Sequence, residues 1–269
     1  MYKQISSSQN KEIKHLHQLQ EKSRLRRKEG VFLVEGVRET GLAIKGGFKL
    51  KNIFFCEELF SVEKLEDLIS DLNEKPEITE LSSEVYEKLA YRGSTEGLLA
   101  LFESRENSLS ELKIQSENPL ILVTEAPEKP GNIGALLRTA DAAGLDGVII
   151  ANPKTDLFNP NIIRSSVGCV FTTPIATGST EEIIDFLKQK NIKIYAAALQ
   201  ASKEYTKVDY AGSSAIVVGT EATGLGDSWL ENSEENIIIP MGGEIDSMNV
   251  SVAAGILIFE AKRQRSLQQ

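Results

Sequence analysis

Cysteine and histidine are scarce in this chain of 269 residues, which contains two of each. Cys56 and Cys169 lie far apart, and neither has partners at the spacing of metal ligands. This argues against a disulfide framework and against structural zinc, and it favours a reducing compartment. We therefore expect a cytoplasmic protein without a metal ion.

Long hydrophobic runs are also missing from the sequence. No apolar run approaches the roughly 20 residues that a membrane span needs, and the N-terminal stretch MYKQISSSQNKEIKHL has no apolar core of the signal-peptide kind. We expect no membrane association. The hydrophobic fraction of 41% and the charged fraction of 26% are typical of a globular protein with a full core. The length fits one large domain or two ordinary ones.

Net positive charge is lacking overall, because the chain carries −9. Residues 1–30 nevertheless hold eight lysines and arginines against three glutamates, a net of +5 that leaves −14 for the remainder. Four of these cations are nearly consecutive: Arg24, Arg26, Arg27 and Lys28. A basic cluster of this kind indicates either an RNA contact or a solvated helix face.

Two halves of different character are separated by a polar stretch. We predict an N-terminal domain over 1–105, a linker over 106–118 and a second domain over 119–269. Alternating strands and helices in the first half predict a small α/β layer structure. Its predicted elements are helices at 9–28, 38–45, 62–72 and 82–89 and strands at 31–36, 52–56 and 97–103.

The second half predicts an α/β domain with a parallel sheet. Its strands are continuous apolar runs, as expected for a sheet that is covered on both faces. The predicted strands are 120–125, 147–150, 171–175, 192–199, 215–219 and 236–240. The predicted helices are 133–143, 161–166, 180–190 and 248–265.

Three polar or glycine-rich segments follow strands of this second half, where ligands bind in open parallel sheets. In the first, EAPEKPGNIGALLRTADAAG (125–144), Asn132 is suited to cap a helix and Gly144 to end it. Arg138 shares a helix face with Gly134, which would leave it over open space. Taken alone, this segment favours an ordinary surface arginine at position 138.

The second segment, AIVVGTEATGLGDSWL (215–230), runs from a buried strand into Gly219 and Glu221. Glycines there permit close backbone approach to a ligand. The pattern is not a dinucleotide fingerprint, because Glu221 takes the place of the second glycine. A plain glycine-rich turn with a solvated glutamate is the alternative.

The third segment, 237–265, is a strand, a turn and a buried helix. Ser247 is the expected helix cap, and Asn249 lies beside it at the helix start, where free N–H groups can face a ligand. Simple capping is the alternative role of Ser247.

Together the three segments resemble the signature motifs of the SpoU/TrmH family of RNA ribose 2′-O-methyltransferases, members of the SPOUT superfamily. The motifs occur in order as N-x-G-x-x-x-R-T-A (132–140), G-x-E-x-x-G-L (219–225) and I-P-M…S-M-N-V-S-V-A (239–253). The stretch RLRRKEGVFLVEGVRETGLA (24–43) resembles the start of that family's small RNA-binding domain, which is similar to a ribosomal-protein α/β fold. Met248 departs from the leucine common in the family, a near-isosteric change.

The resemblance implies a deep trefoil knot, S-adenosylmethionine as cofactor and a homodimer with sites near its interface. Gly219, Ile239, Met241 and Met248 are the implied cofactor-binding residues. Arg138 is implied to activate the ribose hydroxyl. Its implied polar supporting set is Asn132, Glu221, Ser247 and Asn249. Because a guanidinium hardly gives up its proton, we favour Arg138 as a clamp for developing negative charge and an adjacent phosphate.

The implied substrate is structured RNA, bound through Arg24, Arg26, Arg27 and Lys28. The N-terminal domain favours ribosomal RNA, 23S in particular, over tRNA. Two other functions are alternatives: an RNA-binding protein that keeps the fold without catalysis, and a Rossmann-type methyltransferase. The intact set around Arg138 opposes the first, and the lack of an E/D-x-G-x-G segment after a first strand opposes the second.

Overall fold

The computed structural model describes residues 2–90, 96–200, 203–220, 223–244 and 247–267. The chain forms two compact units: the first is Met1–Arg105 with Asp156–Thr172, and the second is Glu106–Thr155 with Thr173–Gln269. The predicted division placed residues 156–172 in the second domain, whereas in the structure they belong to the first unit.

Strands and helices alternate along most of the chain. Up to residue 105 the elements are β1 (Lys3–Ile5), α1 (Lys11–Glu21), α2 (Ser23–Glu29), β2 (Val31–Glu35), α3 (Val37–Lys45), β3 (Leu50–Phe55), α4 (Val62–Leu68), β4 (Glu77–Leu81), α5 (Ser83–Leu89) and β5 (Leu98–Glu103). Beyond it they are β6 (Leu120–Glu125), α6 (Pro130–Ala143), β7 (Gly147–Ala151), α7 (Pro160–Ser165), β8 (Ile175–Gly178), α8 (Thr180–Gln189), β9 (Lys193–Ala197), β10 (Lys203–Glu204), β11 (Ser214–Val218), α9 (Asp227–Asn232), β12 (Glu235–Ile238) and α10 (Val250–Ser266).

The first unit is built on a mixed sheet. Within its described residues the strand order is β1-β4-β3-β5-β2, with β5 antiparallel to both neighbours. Apolar residues of α1 and α5, such as Leu16 and Val85, join strand residues such as Phe54 in one buried cluster. The α/β prediction for this half is correct, although β1 and β4 were missed, because a three-residue strand and the charged sequence EITEL carry little strand signal.

The predicted helix over 9–28 is two helices. Lys22 interrupts it with an extended backbone (φ −106°, ψ 100°), and α2 then ends at Gly30, whose φ of 65° is in the left-handed region. The break changes the direction of the side chains that follow it, including the basic cluster.

Residues 156–172 belong to the first unit because they complete its aromatic core. The rings of Phe32 and Phe158 stack with centroids 4.2 Å apart, and Phe171 lies 5.7 Å from Phe32. All three side chains are at most 9% exposed. Residues 156–172 lie between β7 and β8 in sequence. The free energy gained by burying these aromatic rings nevertheless makes them part of the first unit.

The second unit contains an entirely parallel sheet. Among the described residues its strand order is β10-β12-β9-β11-β6-β7-β8. Alternate residues of β6, Ile121 and Val123, join Trp229 of α9 in the buried core on one face. Helices α6 and α10 pack against each other. The predicted knot, a property of loop threading, stays an implication of the family resemblance.

Two local differences from the predicted second half have simple causes. The strand expected at 171–175 lies at Ile175–Gly178, because Cys169–Phe171 form a 3₁₀ turn and Pro174 cannot donate a backbone hydrogen bond. Helix α9 was missed, since six residues carry no helical period. None of the helices formed by the described residues is long and apolar enough to cross a membrane.

Candidate active site

A cavity of about 330 Å³ lies at the carboxyl ends of three adjacent strands, β9, β11 and β12. Residues 197–200 follow β9 into its wall, 218–220 and 223–225 follow β11, and 237–239 follow β12. The beginning of α10 closes one side. This is the edge of an open parallel sheet where ligands bind.

All four predicted cofactor-binding residues line this cavity: Gly219, Ile239, Met241 and Met248. They come from two loops, the one after β11 and the one between β12 and α10, and the sheet brings these loops together. Apart from the hydroxyls of Thr220, Thr223 and Ser247 and the amide of Gln200, the described lining consists of apolar side chains and backbone, with no charged side chain. Such a wall recognises a ligand by shape and by backbone hydrogen bonds.

Gly219 is required by the loop itself. A Cβ at this position would lie 2.3 Å from the carbonyl carbon and oxygen of Gly224, far inside van der Waals contact. Thr220 and Gly224 exchange two backbone hydrogen bonds, at 3.1 and 3.2 Å, which close the turn. The sequence predicts that a ligand approaches the backbone of Gly219 closely. The structure shows that the backbone of Gly224, in the same loop, approaches it closely.

The amides of Asn132 and Asn249 meet at the neighbouring starts of two helices. Asn249 Nδ2 donates to Asn132 Oδ1 at 3.2 Å, while Asn249 Oδ1 accepts from the Ser251 backbone N–H at 3.0 Å. Asn249 is thus the cap of α10, a role that the sequence analysis gave to Ser247. Asn132 lies inside the first turn of α6, which starts at Pro130, and does not cap it.

Ser247 is exposed and lines the cavity, two residues before Asn249 in sequence. Glu221, the remaining member of the predicted polar set, lies outside the described residues.

Arg138 is exposed on α6, six residues after Asn132. At 1.5 Å per residue this is about 9 Å along the helix, and Arg138 is not among the residues that line the cavity. Its neighbour Thr139 faces Gly255 of α10, where a Cβ would lie 3.8 Å from Thr139 Cγ2. Arg138 therefore lies on the outer surface of the helix that carries Asn132.

The four predicted RNA-binding residues separate into two groups. Arg26 is 3% exposed; it donates to the Asp156 carboxylate at 2.7 and 3.1 Å and to the backbone oxygen of Leu19 at 2.6 Å. A side chain held this way is part of the core, so Arg26 is corrected to a structural residue. The other three are exposed on α2: Arg24, Arg27 and Lys28.

Sequence reasoning missed two parts of the site. Residues 197–200 line the cavity. The sequence could have indicated them, because β9 ends there between two strands that are each followed by a glycine-rich loop. The second lies outside the cavity: Glu125, predicted only as the end of a strand, accepts a hydrogen bond from the indole of Trp229 at 2.7 Å. Within the described ranges, no group of three histidine, cysteine, aspartate or glutamate residues could hold a metal ion.

Comparison with protein-family models gives two matches. The model of the SpoU rRNA Methylase family matches residues 119–259, which include the cavity and all three motifs. The model of the MRM3-like substrate binding domain matches residues 10–100.

Individual relatives cover nearly the whole chain. The 23S rRNA (guanosine(2553)-2′-O)-methyltransferase RlmP of Bacillus subtilis is 30% identical over 260 residues, covering 97% of this chain and 99% of the relative. A crystal structure of an RNA 2′-O ribose methyltransferase is 38% identical, with a TM-score of 0.83 and coverage of 98% and 99%. The AdoMet-bound rRNA methyltransferase from Sinorhizobium meliloti is 27% identical, with a TM-score of 0.88 and coverage of 97% and 98%.

Proposed function

Because this chain belongs to the SpoU rRNA methylase family, we propose that it transfers a methyl group from S-adenosylmethionine to a ribose 2′-hydroxyl of 23S ribosomal RNA. The observation that carries the proposal is the cavity in which Gly219, Ile239, Met241 and Met248 come together at the carboxyl edge of the sheet. The 23S target is supported by the names of the relatives, which methylate guanosine or uridine ribose in that RNA.

The residues of the cavity fit S-adenosylmethionine. Its volume of about 330 Å³ falls in the range of small-molecule sites. Apolar side chains such as Leu225, Ile239 and Met248 suit the flat adenine ring, and the hydroxyls of Thr220 and Thr223 with the loop backbone suit polar edges. The bound cofactor supplies a methyl group that is already activated by a positively charged sulfur.

The protein's own task is to orient and activate the ribose hydroxyl. This hydroxyl is a weak nucleophile that must lose its proton, and holding it in line with the methyl group lowers the barrier. We propose that Arg138 stabilises the developing oxyanion and the adjacent phosphate, because the planar guanidinium is always charged and can donate two parallel hydrogen bonds. The proton then passes to a phosphate oxygen or to water.

The polar set next to the cavity would hold the ribose and the loops. The hydrogen bond between Asn249 and Asn132 joins the starts of α10 and α6, so both helices would keep their register while the hydroxyl is positioned. Glu221 belongs to this set by family resemblance.

A transfer assay tests the proposed reaction. Labelled S-adenosylmethionine should methylate 23S rRNA from a deletion strain but not the already modified rRNA of its parent, and tRNA should remain unlabelled. The new 2′-O-methyl group should appear as one gap in an alkaline hydrolysis ladder, since a methylated hydroxyl cannot attack its phosphate. No transfer to any RNA, with RNA binding intact, would favour the non-catalytic alternative.

We also propose that the protein is a cytoplasmic homodimer that forms through the outer face of α10. Val252 and Phe259 are 54% and 53% exposed, and their spacing of seven places them on one face. A second copy is the partner that the family resemblance implies. Cytoplasmic location is supported by Cys56 and Cys169, neither of which forms a disulfide.

Sedimentation tests the dimer. The wild type should sediment at about twice its chain mass of 29.6 kDa, and Phe259→Glu should shift it to a monomer. Leu59→Glu, at an apolar residue of the first unit that is 43% exposed, is the control. A monomeric wild type at micromolar concentration would refute the assembly.

A further inference from the structure

The carboxylate of Glu125 collects three hydrogen bonds at the carboxyl end of β6. Its Oε2 accepts from Trp229 Nε1 at 2.7 Å and from Thr180 Oγ1 at 2.8 Å, and its Oε1 accepts from Asn152 Nδ2 at 2.8 Å. The donors belong to α9, to α8 and to the residue after β7. Hydrogen bonds to a charged acceptor are the stronger kind, so this carboxylate joins three elements.

Trp229 connects this carboxylate to the cofactor wall. It is the single tryptophan of the chain, is 1% exposed and shares a buried cluster with Leu225, which lines the cavity. Its backbone N–H donates to the carbonyl of Gly226, the last residue of the glycine-rich loop, at 3.0 Å. A six-residue helix is marginal without tertiary anchoring, so the buried indole fixes where that loop ends.

Glu125 also precedes the loop that leads to Asn132. The next residue, Ala126, has a φ of 39°, and its N–H is held by the Ala151 carbonyl at 2.8 Å. Seven residues after Glu125 stands Asn132, which is bonded to Asn249. A shift of the carboxylate would therefore be transmitted into the turn that opens α6.

We propose that Glu125 is a positioning residue that fixes the cofactor loop, residues 219–220 and 223–226, relative to the segment that leads into α6, residues 126–132, through the indole of Trp229. This role deepens the proposed function and depends on it only for the identity of the ligand. Neither Glu125 nor Trp229 lines the cavity, so both act through the loops that they hold.

A matched pair of variants separates positioning from stability. Trp229→Phe and Thr180→Val each remove one donor to the same oxygen of Glu125, but only Trp229 lies on the helix that ends the cofactor loop. Both should lower the melting temperature. Trp229→Phe should weaken S-adenosylmethionine binding, measured by calorimetry, by about tenfold, the equivalent of one charge-assisted hydrogen bond, whereas Thr180→Val should stay within about twofold. Equal losses in both variants would overturn the proposal.

A second measurement needs no ligand. The backbone amides of Thr220 and Gly224 are hydrogen-bonded to each other's carbonyls, so their hydrogen exchange reports the order of the loop. Exchange at these amides should accelerate in Trp229→Phe and remain at the wild-type rate in Thr180→Val. If the wild type binds no S-adenosylmethionine, the proposed function fails, but the difference in exchange between the two variants still tests the role of Glu125. Exchange in Trp229→Phe at the wild-type rate would refute that role.

The indole proton provides a direct signature. With one tryptophan in the chain, its Nε1–H gives a single resonance, which a carboxylate acceptor moves downfield. Glu125→Gln should move that resonance upfield and weaken S-adenosylmethionine binding, because the neutral amide is a weaker acceptor for the indole that holds the cofactor loop. An unchanged resonance would show that the bond does not form in solution.

Discussion

At the scale of single residues, the proposed chemistry depends most on the side chain of Arg138. It is exposed on α6 and carries no fixed role in the core. Arg138→Ala should lower methyl transfer on the order of 10²–10³-fold, as removal of one preorganised donor to a developing charge typically does. Arg138→Lys should remain poor, because lysine lacks the planar fork.

The control for Arg138 is Arg263→Ala, at an exposed arginine that pairs with Glu260 on α10. It should transfer methyl groups at the wild-type rate. Calorimetry should find S-adenosylmethionine affinity unchanged in all three variants, since an interaction made mainly in the transition state affects kcat rather than binding. Transfer by Arg138→Ala within a few-fold of wild type would remove it from the mechanism.

A second residue-scale prediction concerns Gly219. Gly219→Ala places a Cβ 2.3 Å from the Gly224 carbonyl, so the loop must shift at a cost of about 1–3 kcal/mol. Binding of S-adenosylmethionine should be abolished or much weakened. Gly212→Ala is the matched control, because nothing lies within 4 Å of its Cβ position and it lies outside the cofactor loop. Equal affinity of the two variants in calorimetry would contradict the geometry.

The sequence predicts which residues share the cavity better than it predicts the contacts that each residue makes. The family resemblance of two motifs names Gly219, Ile239 and Met248, and these residues line one cavity because the parallel strands before them end at one edge of the sheet. Which residue caps α10 was not predictable, because both Ser247 and Asn249 are good caps and only backbone geometry chooses Asn249. The link between Glu125 and Trp229 spans 104 residues and has no local signal at all.

At the scale of elements, the basic helix α2 shows how a helix divides a run of charges between core and solvent. Arg24, Arg27 and Lys28 have i, i+3, i+4 spacing and share an exposed face, while Arg26 points into the first unit. The sequence predicted one long basic helix; the break at Lys22 and the distant partner Asp156 decide which arginine is buried.

The exposed face of α2 is expected to hold RNA phosphates. Replacing Arg24, Arg27 and Lys28 together with alanine should weaken rRNA binding and flatten its salt dependence by about 0.7–0.9 for each phosphate that is no longer neutralised. Filter binding across a salt series measures this slope. Affinity for S-adenosylmethionine should not change, because the cavity lies wholly in the second unit.

The matched control for α2 removes three exposed lysines of the second unit: Lys113, Lys190 and Lys207. It changes net charge by the same amount without touching α2. If both triple variants flatten the slope equally, the contribution of α2 is only general electrostatics. An unchanged slope in the α2 variant would mean that RNA is held elsewhere.

At the scale of the whole molecule, the two units are not two consecutive stretches of sequence. The chain enters the first unit again at Asp156 and leaves it at Thr172. A fragment over 119–269 would carry Phe158 and Phe171 without the ring of Phe32 that they stack on. We therefore expect such a fragment to expose apolar surface and to bind the dye ANS, in contrast to the full chain.

The buried ion pair between Arg26 and Asp156 also holds that segment. Their side chains are 3% and 9% exposed, and Arg26 also binds two backbone carbonyls, of Leu19 and Gln20. Arg26→Met should reduce the free energy of unfolding by about 3–5 kcal/mol, because it leaves the carboxylate buried without its cation. Asp156→Leu should cost less, since the guanidinium keeps two acceptors.

The double variant Arg26→Met/Asp156→Leu should recover much of the stability, and Arg27→Met, on the exposed face, should be neutral. Urea unfolding of the four variants gives the coupling energy, and additive effects would show that the pair does not hold residues 156–172 in the first unit.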